Sequence, residues 1–326
     1  MADPSATNAP SSRRLPVVTL LTPVFNEEGN LDDYRATVEK RLFSREDVRM
    51  EVLFIDDGSR DGSWEILKKF CGESDRFHAI RLSRNFGPHA ALAAGLESVG
   101  DTDAIAILAC DLQDPPSVVG EFIDRWKAGA QIVFGHRRVR HDSAFRNVSG
   151  RIFHVLLQRT AMPRHSRFAT GSFLLADRKV VECYRTFREH NRITFAMIAW
   201  TGFAQDAVEY ERIARVRGKS GWSFGRLFKA FYDVFIGYSH LPIRLISIVG
   251  FATFIGSVLL AVYAVIIGLR GGSVPGWAST LAVTGIFFGI QFFLMSIVGE
   301  YLYRMYLEVV QRPLYFISDT ASRNDS

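Results

Sequence analysis

The sequence predicts an α/β domain on a mostly parallel sheet, followed by two long apolar helices. Short β-rich runs alternate with helical patterns through about the first 135 residues. Two uncharged stretches, 245–269 and 271–299, then follow. Over 326 residues, 48% are hydrophobic and 22% charged, a composition that excludes disorder and collagen and leaves much of the chain facing water. The net charge of +5 is too small to argue for nucleic acid and suits an anionic membrane surface. The three cysteines are far apart with no C-x-x-C pair, so neither a disulfide framework nor a zinc site is expected.

The elements are expected in this order. Residues 1–14 are a polar tail without the apolar core of a signal peptide, and are read as disordered. The α/β domain spans 15–222. Its strands are expected at 17–24, 50–55, 78–82, 104–108 and 131–134, and its helices at 31–42, 63–71, 89–98 and 115–128. Strand and helix in such alternation predict a parallel sheet covered on both faces, with ligands bound beyond the carboxyl ends of the strands. Residues 223–243 form an amphipathic helix, with Phe224, Leu227, Phe228, Phe231, Phe235 and Tyr238 at helical spacing. The segment 244–303 holds two membrane helices, at about 245–269 and 277–299. Twenty-five helical residues reach roughly 37 Å, more than the ~30 Å hydrocarbon core. The turn between them, 270–276, is too short for a folded domain, and the basic residues outside it outnumber Arg270. Both termini, the α/β domain and a tail over 304–326 are therefore expected in the cytoplasm of an integral membrane protein, at the plasma membrane if the cell is bacterial.

Four motifs follow the first four strands. They are Thr22-Pro23-Val24-Phe25-Asn26-Glu27-Glu28, Asp56-Asp57-Gly58-Ser59, Arg81-Leu82-Ser83-Arg84-Asn85-Phe86-Gly87 and Asp111-Leu112-Gln113-Asp114-Pro115-Pro116. Each singly could be punctuation, and Asp114-Pro115 reads as a helix start with Asp as the cap. Carboxylates at neighbouring strand ends, with an arginine between, suit ribose hydroxyls, a divalent cation and phosphate oxygens. No G-x-x-x-x-G-K-[ST], no G-x-G-x-x-G after the first strand and no G-x-S-x-G elbow is present. A P-loop NTPase, an NAD enzyme and an α/β-hydrolase thus lose their usual handles.

These motifs, together with Arg215-Val216-Arg217-Gly218-Lys219-Ser220, Gly299-Glu300-Tyr301-Leu302 and Arg312-Pro313-Leu314-Tyr315, resemble family 2 glycosyltransferases of the GT-A fold. Their order, ending in a two-helix hairpin, is similar to the polyprenyl-phosphate branch, which includes dolichyl-phosphate mannosyltransferase and bacterial undecaprenyl-phosphate glucosyltransferases. The resemblance covers about residues 15–318. It implies single-sugar, inverting transfer from a nucleotide-sugar, UDP-glucose favoured, to a membrane polyprenyl phosphate, in cell-wall or surface-glycan synthesis. It implies that Pro23, Phe25, Glu27 and Asp57 line the nucleoside, with Asp56 in support, and that Arg84 sits at the donor sugar or diphosphate. Asp111 and Gln113 would hold Mg²⁺ or Mn²⁺. The commonest D-x-D pattern is broken by Ala109, and Pro88 stands where many relatives have Lys. A catalytically weak scaffold assisting a flippase or another transferase is the alternative that Ala109 supports. Processive synthases do not match, because Q-x-x-R-W is absent.

Two anions must meet in such a site, so cations are required. The resemblance implies Arg137, Arg146 and Ser149 as the candidates for the acceptor phosphate, with Lys219 and Ser220 in a second loop, and Asp111, Arg137 and Arg146 as the catalytic candidates. Arg212, Arg215, Arg217 and Lys219 read equally well as a basic belt touching lipid headgroups. The expected partners are the donor, the lipid acceptor and the membrane, with a homo-oligomer left open and no nucleic acid.

Overall fold

The computed structural model describes residues 14–138, 173–190, 192–213, 241–270 and 276–323. The chain builds β1 (Val17–Val24), α1 (Leu31–Arg41), β2 (Arg49–Asp56), α2 (Ser63–Glu73), β3 (Phe77–Leu82), α3 (Pro88–Ser98), β4 (Ala104–Ile107) and α4 (Pro116–Lys127). Then follow β5 (Ile132–Arg137), β6 (Leu174–Asp177), α5 (Arg178–Thr186), α6 (Thr194–Trp200), β7 (Gln205–Tyr210), α7 (Leu241–Leu269), α8 (Trp277–Val310) and β8 (Ile317–Ala321).

One eight-stranded sheet runs in the order β7-β5-β6-β4-β1-β2-β3-β8. The pairs β1–β2, β1–β4, β2–β3 and β5–β7 are parallel, while β6 and β8 lie antiparallel to their neighbours. Strand residues alternate between two cores. Val18, Leu20, Val52, Phe54, Ala104 and Ala106 pack with α1, α2 and α4, whereas Leu21, Leu53, Ile55, Ile105 and Ile107 pack with α3, α5 and α6. Strand order reverses between β1 and β4. Their carboxyl ends open the crevice where sheets of this kind bind ligands.

The alternating region matches expectation within a few residues, but three strands and two short helices were not expected. β6 arrives from residue 174, separates β4 from β5, and breaks the parallel run. β5 extends to Arg137, so that arginine is the last residue of a strand and not part of the loop after it. Asp114 is not a helix cap: α4 starts at Pro116 with Pro115 at the cap position and no side-chain cap bond.

The C-terminal part differs more. α7 begins four residues earlier than expected, and α8 runs eleven residues past Gly299, through Glu300, Arg304 and Glu308. Arg304 Nε donates to Glu300 Oε1 at 3.0 Å, an i,i+4 pair that extends the helix beyond its apolar part. What was expected as a tail returns to the α/β domain: β8 pairs with β3, and Ser83 N donates to Phe316 O at 2.9 Å. Among the described residues one helical segment, Val283–Val310, is long and apolar enough to cross a membrane, and Ile248–Leu260 is a shorter apolar helix. α7 and α8 touch each other. Their apolar side chains are turned outward, Phe251 67% exposed and Phe292 72%, a band that water does not stabilise. The amphipathic helix expected at 223–243 lies outside the described residues except for its last three, which are the start of α7.

Candidate active site

The loops after β1, β2 and β3 are stitched to one another by short polar side chains. Asn26 adopts a left-handed φ of 54°. Its amide donates to Ser59 Oγ at 2.9 Å, and its Oδ1 accepts from Arg60 N at 2.9 Å. Glu27 N donates to Ser63 Oγ at 3.0 Å, and Glu28 Oε2 accepts from Gly62 N at 2.7 Å. These bonds hold the backbone after β1 so that Phe25, 43% exposed, faces out of the fold next to Glu27. The Glu27 carboxylate accepts from Asn30 Nδ2 at 2.5 Å.

Asp56 and Asp57 are both buried. Asp56 Oδ1 accepts from Ser59 N at 2.9 Å, and Oδ2 lies 3.2 Å from Arg81 Nε. Asp57 accepts from Phe86 N at 2.7 Å and from Gly87 N at 2.9 Å. Burial pushes the Asp57 carboxyl up; the two amides pull it back, and neighbouring Asp56 adds to the rise. Gly58 lies between the loops at φ +69°, where a Cβ would stand 2.5 Å from the Arg84 carbonyl carbon. Only glycine fits there, on both counts. Arg84 is exposed and stacks on Phe86 with its guanidinium carbon 4.2 Å from the ring centroid.

Asp111, Leu112 and Gln113 follow β4 and are half-buried. Leu112 takes a left-handed φ of 52°, which bends the chain, and Gln113 N donates to Asp111 Oδ1 at 3.2 Å. Gln113 O accepts from Ile213 N at 2.9 Å, tying this loop to the segment after β7. Among the described residues no group of three or more His, Cys, Asp or Glu is placed to hold a metal. One carboxylate and one amide oxygen nevertheless suit a hard cation that keeps waters and takes its other oxygens from a diphosphate. Ala109, half-buried in the same loop, offers no side-chain oxygen.

A second group lies beside this loop. Asp114 is 2% exposed, and its Oδ1 accepts from Tyr210 OH at 2.6 Å. The same oxygen is 3.4 Å from Arg212 Nε and 3.7 Å from Arg137 Nη2, while Arg137 Nε donates to Tyr210 OH at 3.1 Å. Burial and Asp114 together push the Tyr210 hydroxyl up to about 12, so it stays protonated as a donor. Arg137 is thereby fixed on two sides while 37% of its side chain remains open. Tyr210 and Arg212 as partners of Asp114 were missed by sequence reasoning. Arg146, Ser149, Lys219 and Ser220 lie outside the described residues.

With this geometry in place, similarity decides the family. Residues 19–185 match the family described as Glycosyl transferase family 2. An uncharacterized glycosyltransferase of Synechocystis sp. is 32% identical over 311 residues, covering 93% of this chain and 95% of the relative. The chain belongs to glycosyl transferase family 2. An undecaprenyl-phosphate 4-deoxy-4-formamido-L-arabinose transferase of Salmonella choleraesuis is 35% identical over 310 residues, covering 92% of both chains. Among solved structures, a mannosyltransferase of Pyrobaculum calidifontis in complex with GDP-Man and Mn²⁺ is 18% identical at a TM-score of 0.49, covering 90% of this chain and 89% of the other. The protein is a glycosyltransferase with the mixed α/β, Rossmann-like sheet of the GT-A fold.

Proposed function

We propose that this glycosyltransferase moves one sugar from a nucleotide-sugar to a membrane polyprenyl phosphate, with inversion at the anomeric carbon. The observation that carries the reading is the near end-to-end match, at 35% identity, to a transferase whose name states undecaprenyl phosphate as its acceptor. Its coverage of 92% of this chain supports membrane attachment through α7 and α8 as part of the same design. The arrangement of α7 and α8 as a membrane hairpin, with catalytic domain and termini cytoplasmic, belongs to this proposal.

Pro23, Phe25 and Glu27 would receive the nucleoside, Phe25 by its exposed ring and Glu27 by its carboxylate. Asp56 and Asp57 act mainly by keeping the three loops together. Arg84, exposed above Phe86, would meet the diphosphate. Asp111 and Gln113 would hold Mg²⁺ or Mn²⁺, whose charge stabilises the departing diphosphate when bound. Arg137 would face the acceptor phosphate, joined by Arg146, Ser149, Lys219 and Ser220 from the neighbouring segments.

No side-chain base is needed. A phosphate monoester has its second pKa near 6, so an anionic oxygen is present at neutral pH. That oxygen bonds to the anomeric carbon as the bond from this carbon to the diphosphate breaks. The electron pair leaves with the nucleoside diphosphate. The obstacle is repulsion between two anions, and fixed cations in a partly dry site offset it.

The test is release of nucleoside diphosphate by the full chain, given undecaprenyl or dolichyl phosphate, a divalent cation and a panel of donors led by UDP-glucose. A sugar-linked lipid product is expected with one donor. Asp111→Asn should abolish metal-dependent turnover while the folded chain stays in the membrane fraction. Near wild-type rate in that variant would refute the metal role of Asp111. A folded wild type inactive with every donor would favour the scaffold reading.

A further inference from the structure

A cavity of about 400 Å³ lies where α8 ends against the catalytic domain, lined by none of the candidate residues named above for donor or acceptor. Arg188, Arg192 and Arg312 line it together with Glu97, Glu308 and Tyr315. Three of these charges are already committed. Arg192, its side chain 10% exposed, pairs with Glu97 and donates through Nη2 to Phe187 O at 2.9 Å. The other oxygen of Glu97 accepts from Tyr315 OH at 2.5 Å. Glu308 Oε1 accepts from the His190 amide at 2.8 Å. Arg188 and Arg312 reach the same cavity, both exposed, and form no hydrogen bond or ion pair with any other described residue. Glu189 also lies within electrostatic reach of Arg192 and Glu308, so the charge that the cavity offers to an anion is that of the two unpaired arginines, Arg188 and Arg312.

Its position specifies the kind of anion. Arg312 comes two residues after Val310, the last residue of the membrane-length segment Val283–Val310. Along the final turns of α8, Tyr306 is 57% exposed and Val309 79%, and Phe316, just past the cavity wall, is 56% exposed. A basic cavity bordered by outward apolar side chains complements a molecule with an anionic head and an apolar tail. The guanidinium fork matches phosphate oxygens in pairs, and the volume is that of a small-molecule site. We propose that this cavity binds the phosphate of a phosphate-headed lipid, with its chain lying along the end of α8. The head can come from bulk phosphatidylglycerol or from a polyprenyl phosphate waiting beside the enzyme. The inference rests on the membrane placement of α8 proposed above.

The test uses the full chain, delipidated in neutral detergent, with lipid retention measured by native mass spectrometry. Phosphatidylglycerol and polyprenyl phosphate are offered separately, each against phosphatidylcholine, and then with millimolar inorganic phosphate as competitor. Wild type should prefer at least one of the two anionic lipids over phosphatidylcholine, and inorganic phosphate should not displace it. Arg188→Gln with Arg312→Gln should weaken that lipid at least about tenfold, as expected when charge-assisted hydrogen bonds are removed. The Arg188→Lys, Arg312→Lys pair should keep part of the binding. Whichever lipid loses affinity identifies the source. No preference over phosphatidylcholine in wild type overturns the proposal even if no variant folds. Unchanged binding in the glutamine pair, or displacement by inorganic phosphate, overturns it as well. Alkaline carbonate extraction of membranes is scored independently: release of the chain refutes the membrane placement of α8, whereas a retained chain without lipid preference refutes only the cavity.

Discussion

A buried carboxylate oxygen shared by a tyrosine hydroxyl and two guanidinium groups, as in Asp114, is costly to disturb from any side. Its charge is compensated only while all three partners stay, and Tyr210 also steadies Arg137. Tyr210→Phe deletes a hydrogen bond to a charged group, worth about 1.5–3 kcal/mol, and leaves Arg137 without its Nε partner. The expected result is a lower melting temperature together with a raised KM for the acceptor and an unchanged KM for the donor. Equal changes in both KM values would show that Asp114 merely holds the fold. Gly58 gives the complementary case on the donor side. Gly58→Ala places a non-glycine residue at φ +69° and drives its Cβ into the Arg84 backbone. The left-handed conformation alone costs about 1–2 kcal/mol. Denaturant melts should show at least that loss, and donor binding should weaken because Asp57 can no longer hold both loops. Asp56, Asp57 and Asp111 were legible in sequence because each stands in a short turn right after a β-rich run. The role of Asp114 was not. Its partners lie on β5, at the end of β7 and just after it, and Tyr210 is 96 residues away, a pairing that only the sheet order creates.

At the scale of elements, helix and strand were readable where side-chain period and length agreed, as in β1, β2, α2 and α4. β6 and β8 were not: they are four and five residues long and, unlike the equally short β4, stand outside the strand–helix alternation of the first 135 residues. β8 is held by pairing with β3 rather than by burial, since four of its five residues are exposed. α3 carries an element-scale pH dependence. His89 in its first turn packs on Phe195 with ring centroids 5.7 Å apart, and its Nδ1 has no hydrogen-bond partner. Burial holds its imidazole below the ordinary range. The unfolded chain therefore takes up a proton near pH 6.5 that the folded chain refuses. This contribution to stability is fully present above that pH and declines as pH falls below it. Between pH 7.5 and 5.5 the melting temperature of wild type should drop more than that of His89→Phe, and parallel profiles would show that His89 has no part in it.

For the whole molecule, the chain must join a water-facing catalytic domain to helices whose apolar side chains point outward. Both ends of the α7–α8 segment lead back to the catalytic side: β7 precedes it in the chain, and β8 joins the edge of the same sheet after it. In the proposed membrane hairpin, two crossings would satisfy this constraint and would put the connection at Arg270 on the opposite face. The chain carries its own control. Cys71 and Cys110 are buried and Cys183, on α5 of the catalytic domain, is exposed. Arg270→Cys removes the single basic residue from the connecting turn, so by the positive-inside rule it favours the proposed orientation if it has any effect. In intact cells a membrane-impermeant maleimide should label the introduced cysteine and leave Cys183 unmodified. After permeabilisation, or in inverted vesicles, Cys183 should become reactive. Labelling of Cys183 in intact cells would put the catalytic domain outside. If position 270 and Cys183 always label together, α7 and α8 do not carry the chain across and back, and their apolar faces must be covered by something other than a bilayer.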